Sequence, residues 1–305
     1  MILVLAYYYL GKIEDPVAEV ACHKAFFEGK NARGRIYISE QGINGQASCG
    51  EEEYEAFRSW MARFDSVKIK IHTASEHPFP KMTVKYRKQL VAIDCDVDLS
   101  ARGESVAPHQ WKEMLQQRDE NTLLVDVRNG YEWKVGHFEG AELPPLETFR
   151  QFPSYADELK KTRDPKTTRV MMYCTGGIRC EFFSAVMKQA GFEHVYQLDG
   201  GVIGYGLEEG GDHWKGKLFV FDDRLVVPIS SDQSETIAEC VYCKGVCDVY
   251  YNCANVDCNE LFVACASCIC EHKGCCGASC KSAPRVRPYQ ISAKPFRKMA
   301  ADLFT

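Results

Sequence analysis

The rhythm of apolar and polar positions changes twice along this chain, and each change marks a different kind of structure. Between residues 1 and 97, short apolar or alternating runs are interleaved with stretches of helical spacing. "ILVLAYYYL" (2–10) and "GRIYIS" (34–39) predict strands, and "VKIKIHT" (67–73) alternates as a half-buried strand does. "PVAEVACHKAFFEGK" (16–30) and "EEEYEAFRSWMARF" (51–64) space their apolar residues as helices do, and "MTVKYRKQLVAID" (82–94) predicts a last strand. The order β-α-β-α-β-β predicts a small α+β sandwich of ferredoxin-like, acylphosphatase-like type. Within it, "SEQGINGQAS" (39–48) reads as a tight reversal after the second strand, because Gly42, Asn44 and Gly45 tolerate positive φ.

From 105 to 222 the strands become continuous apolar runs: "TLLVDVR" (122–128), "RVMMYC" (169–174) and "HVYQLDGG" (194–201). Helical stretches such as "APHQWKEMLQQ" (107–117) and "CEFFSAVMKQAGF" (180–192) alternate with them. Strands apolar on both faces, each followed by a helix, predict an open parallel α/β sheet. A composition break at "DLSARGESVAP" (98–108) precedes this region, and the linker-like "VVPISSDQSE" (226–235) follows it. The expected organisation is an α+β domain at 1–97, an α/β domain at 105–222, a cysteine-rich module at 236–283 and a basic tail at 284–305.

Neither period survives in the third region, where eleven of the sixteen cysteines lie between Cys240 and Cys280. They form knuckles at Cys240/Cys243, Cys253/Cys258, Cys265/Cys268 and Cys276/Cys280, and four pairs suit two tetrahedral zinc sites. The preferred pairing interleaves them: Cys240, Cys243, Cys265 and Cys268 on one ion, with Cys253, Cys258, Cys276 and Cys280 on the other. Sequential pairing is the alternative, with Cys247, Cys270, Cys275 and His272 as substitute ligands. A disulfide cluster is the rival, and the character of the rest of the chain disfavours it.

Composition narrows the class. With 305 residues and 46% apolar content the chain can bury several cores. The opening "MILVLAYYYL" is too short to span a bilayer and lacks a basic flank, so a buried strand, no membrane partner and a cytoplasmic location are expected. A net charge of −5 excludes a uniformly basic nucleic-acid binder, yet local basic patches remain. One is the tail, with Lys281, Arg285, Arg287, Lys294, Arg297 and Lys298 interleaved with Tyr289 and Phe296. Another surrounds "PKMTVKYRK", with Lys81, Lys85, Arg87 and Lys88. Both suit phosphate contact, against the plainer reading of solvated surface.

The most pointed chemistry is "YCTGGIRC" (173–180). A strand ending in Cys174, a loop of Thr175, Gly176, Gly177 and Ile178, and a helix beginning near Arg179 turn backbone N–H groups toward the sulfur. Such a nest lowers a thiol's pKa and holds a thiolate. Only four residues separate Cys174 from Arg179, one fewer than in phosphotyrosine-type phosphatases, which suits a sulfur-sized load. Asp126 and Arg128, at the end of the preceding strand, read as scaffolding for neighbouring loops. Cys180 reads first as a buried small hydrophobe and second as a thiol able to resolve an oxidised Cys174.

"LLVDVRNGYEWKVGHFEGA" (123–141, including His137), "YCTGGIRC" and "GFEHVYQLDGGVIGY" (191–205) resemble the successive signatures of a rhodanese domain. "EQGING" (40–45), "FRQFP" (149–153) and "WKGKLFVFDDRL" (214–225) further resemble the rhodanese-related tRNA uridine hydroxylases, a match running in order over residues 1 to about 230. The resemblance implies oxygen-dependent 5-hydroxylation of the wobble uridine of tRNA, with Cys174 as the catalytic residue, tRNA as partner and molecular oxygen as co-substrate. It also matches the cysteine-rich module to an extension that many members carry. No flavin or haem signature is visible. Two other functions fit the residues: a persulfide-carrying sulfurtransferase served by a protein sulfur donor, and a non-catalytic, zinc-dependent binding protein.

Overall fold

A computed structural model describes residues 1–230 and 234–289. The expected contributions of Lys294, Arg297, Lys298 and Phe296 lie outside the described residues. The chain divides into two compact units: 1–130 with 140–213, and 131–139 with the described residues from 214 on.

The first unit opens with β1 (Ile2–Leu10), α1 (Pro16–Phe27), β2 (Ala32–Ser39), β3 (Gly42–Cys49), α2 (Glu51–Met61), β4 (Lys68–Ala74) and β5 (Met82–Tyr86). The sheet order β4-β1-β3-β2-β5 is ferredoxin-like, with β5 added in parallel at the β2 edge. Asp15 caps α1 by accepting from the N–H groups of Val17 and Ala18, and Pro16 supplies a first residue needing no such bond. Val20, Phe27, Phe57 and Met61 of the two helices pack on Leu5, Tyr7, Ile36, Ile38 and Ala47 of the sheet.

The tight reversal expected in 39–48 after the second strand is present but shorter than that span. Ser39 pairs with Gly42, so only Glu40 and Gln41 form the turn, and the remainder is the central strand of the sheet. Of the three residues expected to tolerate positive φ, only Gly42 uses it, at 136°. Gly45 instead makes room for a neighbour, since a Cβ there would stand 2.2 Å from the Tyr7 ring, which fills the space a side chain would otherwise occupy. Its core-facing positions do alternate, Ile43, Gly45, Ala47 and Cys49, but only Ile43 is large, and the glycines and small polar residues around it hid the strand. The last strand also stops early, at Tyr86, because Leu90, Val91 and Ile93 leave the sheet to join the next core.

That core belongs to a parallel sheet of order β6-β10-β9-β7, built from β6 (Glu104–Val106), β7 (Thr122–Asp126), β9 (Arg169–Tyr173) and β10 (His194–Leu198). Helices α3 (Pro108–Gln116), α5 (Phe152–Thr162), α6 (Ile178–Gln189) and α7 (Gly201–Glu209) accompany it. Phe152, Ala156 and Leu159 of α5 and Phe182, Phe183 and Val186 of α6 bury Leu123, Val125, Val170 and Met172. Burial on both faces is what made these strands read as continuous apolar runs.

The second unit contains the short α4 (Gly130–Trp133), apart from its first residue, and β8 (Gly136–Phe138), which pairs with β11 (Trp214–Gly216). Then come β12 (Leu218–Phe219), β13 (Val226–Val227), β14 (Tyr250–Asn252), β15 (Leu261–Val263), α8 (Ala266–Glu271) and α9 (Ala278–Lys281). The start of the linker-like "VVPISSDQSE" is therefore a strand, since Val226 and Val227 pair with Phe219 and Leu218. No helix among the described residues is long and apolar enough to cross a membrane.

Candidate active site

Cys174 follows the last residue of β9 and is 1% exposed. Its Sγ accepts a 3.1 Å hydrogen bond from the N–H of Gly177, whose φ of 99° is one that glycine adopts without strain as the loop turns into α6. Burial opposes ionisation, but the Cys180 thiol, the Arg179 charge and the N–H groups of Cys180 and Gly177 outweigh it and bring the pKa down to about 5. These contacts favour the Cys174 thiolate over the thiol at neutral pH. The partner thiol moves the other way: burial, reinforced by the bond to Cys174, holds Cys180 protonated. Cys180 is thus a donor to the thiolate, a role beyond that of a buried hydrophobe.

The loop is shaped from outside as well as within. Arg179 reaches Thr175 Oγ1 at 3.3 Å, closing the ring. The N–H groups of Val202 and Ile203, in the first turn of α7, donate to the carbonyls of Cys174 and Thr175 at 2.9 and 3.0 Å. Gly201 permits this approach, since a Cβ there would stand 2.5 Å from the Cys174 carbonyl oxygen. The "LDGG" of the sequence is therefore the second wall of the cysteine loop. Asp126 and Arg128, both fully buried, form a two-point ion pair, Nε to Oδ1 at 2.8 Å and Nη2 to Oδ2 at 2.6 Å. The pair is rigid scaffolding one strand away from the cysteine.

Sequence reasoning missed the contribution of the first sheet. Lys70 of β4 donates to the Gly176 carbonyl at 2.7 Å, and burial lowers its pKa to about 8 despite the opposing pull of the Cys174 thiolate. Tyr8 of β1 donates to Glu181 Oε1 at 2.8 Å, while Arg102 and Gln197 hold Oε2 at 2.8 and 3.1 Å. Lys68 pairs with Asp199 at 2.6 Å. The sequence carried one hint, the charges of "KIKIH" on alternate positions, although nothing local says what they face.

In the second unit, His137 Nδ1 lies 2.9 Å from the Trp133 carbonyl, a local structural contact. The Sγ atoms of Cys240, Cys243, Cys265 and Cys268 lie within 4.8 Å of one another, as do those of Cys253, Cys258, Cys276 and Cys280. Arms of about 2.3 Å give a tetrahedron with an edge of about 3.8 Å, and Cys243 to Cys265, Cys258 to Cys276 and Cys276 to Cys280 are 3.8, 3.7 and 3.7 Å apart. Two tetrathiolate groups can therefore each hold a metal ion, and every cysteine is free of disulfides. His272 is instead stacked on Tyr242, with ring centroids 3.8 Å apart. Arg285 pairs with Asp257 at 2.7 Å and Arg287 donates to the Cys253 carbonyl at 3.2 Å, so both close the module around its cysteines.

A thiolate in a glycine loop at the carboxyl end of a parallel strand, walled by a second helix N-terminus, defines a rhodanese-type domain. Family models agree: a rhodanese-like domain matches residues 107–207, an acylphosphatase-like UPF0176 domain 2–90, and a rhodanese C-terminal domain 215–281. Proteins named tRNA uridine(34) hydroxylase are 53% identical to it in Protochlamydia amoebophila and in Chlamydia felis, each over 97% of this chain and over 93% and 92% of their own lengths. The Chlamydia trachomatis protein of that name is 52% identical over 96% of the chain and 91% of its own. The chain belongs to the tRNA uridine(34) hydroxylase family. Among solved structures, the rhodanese-like domain of an Anabaena protein is similar over 44% of this chain and 92% of its own, at 20% identity and a TM-score of 0.32.

Proposed function

We propose that this protein is a tRNA uridine hydroxylase that introduces a 5-hydroxyl group into the wobble uridine, with Cys174 as its nucleophile. The observation that carries the reading is the Cys174 thiolate, poised in a chain that matches hydroxylases of that name along nearly its whole length. Uridine is electron-poor at C6. Addition of the thiolate there forms a C–S bond and moves the electron pair to C5 and O4, as an enolate. The enolate carbon reacts with molecular oxygen, and after protonation C5 carries a hydroperoxide. Two electrons and two protons from an external two-electron reductant, a dithiol for instance, cleave the O–O bond to leave a hydroxyl and release water. Loss of the C5 proton and expulsion of the Cys174 thiolate restore the ring's double bond. The loop N–H groups and Arg179 steady the sulfur as attacking and as leaving group.

Zinc suits the two tetrathiolate groups, held by Cys240, Cys243, Cys265 and Cys268 and by Cys253, Cys258, Cys276 and Cys280. Closed four-thiolate sites supply folding energy and leave no position for a substrate. Such reduced thiols suit a cytoplasmic location, where tRNA is found. The test is direct: nucleosides from tRNA incubated with the protein, oxygen and a dithiol are analysed by mass spectrometry. 5-Hydroxyuridine formed by the native protein and absent with Cys174→Ser supports the reading, whereas equal product from both overturns it.

A further inference from the structure

The first sheet has two faces of opposite character. One carries α1 and α2, whose outer surface includes the exposed Glu51, Glu52 and Glu55. The other carries neither of them, and its β1–β4 end meets α6 and the loop before α7. The strand register lays its side chains out in rows across the sheet: Lys68, Tyr8, Asn44, Tyr37 and Lys85 in one, and Lys70, Ala6, Gln46, Arg35 and Thr83 in the next. Arg33 and His72 follow in the third row, with Ser48 and Val4. No Asp or Glu occupies any of these positions.

The two ends of the rows differ. At the β4 end, Tyr8, Lys68 and Lys70 are engaged with Glu181, Asp199 and the Gly176 carbonyl beside the cysteine loop. At the β5 end, Arg33, Arg35, Lys85 and Arg87 are exposed, and Asn44, Gln46 and Tyr37 are half-buried between them. The Arg87 guanidinium lies over the Tyr37 ring, 4.9 Å from its centroid, presenting a flat cationic surface. The rows cross four inter-strand gaps of about 4.8 Å each, about 19 Å in all, from the exposed cations of β2 and β5, past Asn44 and Gln46 and the buried Tyr8 and Ala6, to the β4 lysines beside the cysteine loop. Exposed cations, amide side chains and a stacked Arg–Tyr pair, leading to a nucleophile, are what a single-stranded nucleic acid needs for its backbone and an unpaired base.

We propose that the β2–β5 end of this face is the track on which single-stranded RNA approaches the Cys174 loop, with Arg33, Arg35, Lys85 and Arg87 on its phosphates and Asn44, Gln46 and the Arg87–Tyr37 pair beside its bases. Its assignment to RNA rests on the hydroxylase reading. The opposite, glutamate-bearing face repels the same ligand.

Fluorescence anisotropy of a labelled RNA stem-loop with a uridine in its unpaired loop, titrated over a range of salt, tests the track. Each lost phosphate contact lowers the slope of log K against log salt by about 0.7, so R35Q/K85Q/R87Q reduces it by about 2 and weakens binding about 100-fold at 0.1 M salt relative to the native protein. The charge-conserving R35K/K85R/R87K retains most of the affinity, and R58Q on the helix face changes nothing. Absence of binding by the native protein, or an unchanged affinity and slope in the glutamine variant, overturns the proposal. The hydroxylase reading fails separately: a native protein that binds RNA through this face and makes no 5-hydroxyuridine sinks the reaction and leaves the track standing. C174S, in turn, keeps binding while losing product.

Discussion

Lys70 Nζ and the Gly176 carbonyl oxygen are 2.7 Å apart, so a strand of the first sheet holds the middle of the cysteine loop of the second. The contact places a cation beside the Cys174 thiolate without bonding it to the sulfur, and it ties the loop's shape to a residue 106 positions earlier in the chain.

Replacing Lys70 by Met removes that charge and the hydrogen bond together. The pH at which Cys174 reaches half its maximal alkylation rate should rise, and turnover should fall even though no substrate-facing atom of the loop has changed. Because burial lowers the Lys70 pKa to about 8, the folded chain binds fewer protons than the unfolded one between pH 8 and about 10.4, and stability rises with pH across that window. K70M should lose this dependence, as urea midpoints at pH 7 and pH 10 will show.

Alkylation of Cys174 by iodoacetamide should follow a midpoint near pH 5, far below the about 8.5 of an ordinary thiol, although burial slows the absolute rate. Cys180→Ala removes a donor and should raise the midpoint, while Cys180→Ser, which keeps a hydroxyl in place, should raise it less. Stability depends on the same proton. The unfolded chain binds it above pH 5 and the folded chain does not, so this thiolate's contribution is complete above the unfolded thiol pKa and is lost as pH falls through about 5. An acid-unfolding curve of C174S, compared with the native curve, isolates it.

Asp126→Ala leaves the Arg128 guanidinium buried without its carboxylate. A loss of about 3 to 5 kcal/mol is expected in urea unfolding, and the double substitution with Arg128→Met should cost less than Asp126→Ala alone. If the single and double variants lose equally, the pair is not what makes the single change costly.

Native mass spectrometry should find two metal ions per chain. Cys243→Ser and Cys258→Ser should each lose one, whereas Cys270→Ser, outside both sulfur groups, should keep two. Chelation should unfold the cysteine-rich module, since its small core is built largely around Cys240, Cys253, Cys275 and Cys280.

The parallel sheet was legible because burial on both faces leaves an unbroken apolar signature, and the cysteine loop because strand end, glycines and arginine are adjacent in sequence. What escaped was whatever depended on distant partners. β3 lacks a large core-facing residue at Gly45 because Tyr7, on a neighbouring strand, fills that space. Lys70, Tyr8 and Glu181 carry no local mark of their meeting, since Tyr8 and Glu181 are 173 residues apart. The cysteine knuckles announced metal ligands, but spacing alone left interleaved and sequential pairing open, and the grouping depends on how the short strands β14 and β15 and helix α8 fold the pairs together.

The two oxygens of Glu181 are divided between Tyr8 on one side and Arg102 and Gln197 on the other. In evolutionary terms, that carboxylate makes the joining of these two folds hard to reverse. A rhodanese domain grafted from a relative lacking the N-terminal sheet would arrive without a partner for Tyr8 or a seat for Lys70. The N-terminal sheet, cut free, would expose Tyr8, Lys68 and Lys70 without their partners. Exchanging either domain alone would mean rebuilding these contacts, which ties the nucleophile's domain to the surface beside it.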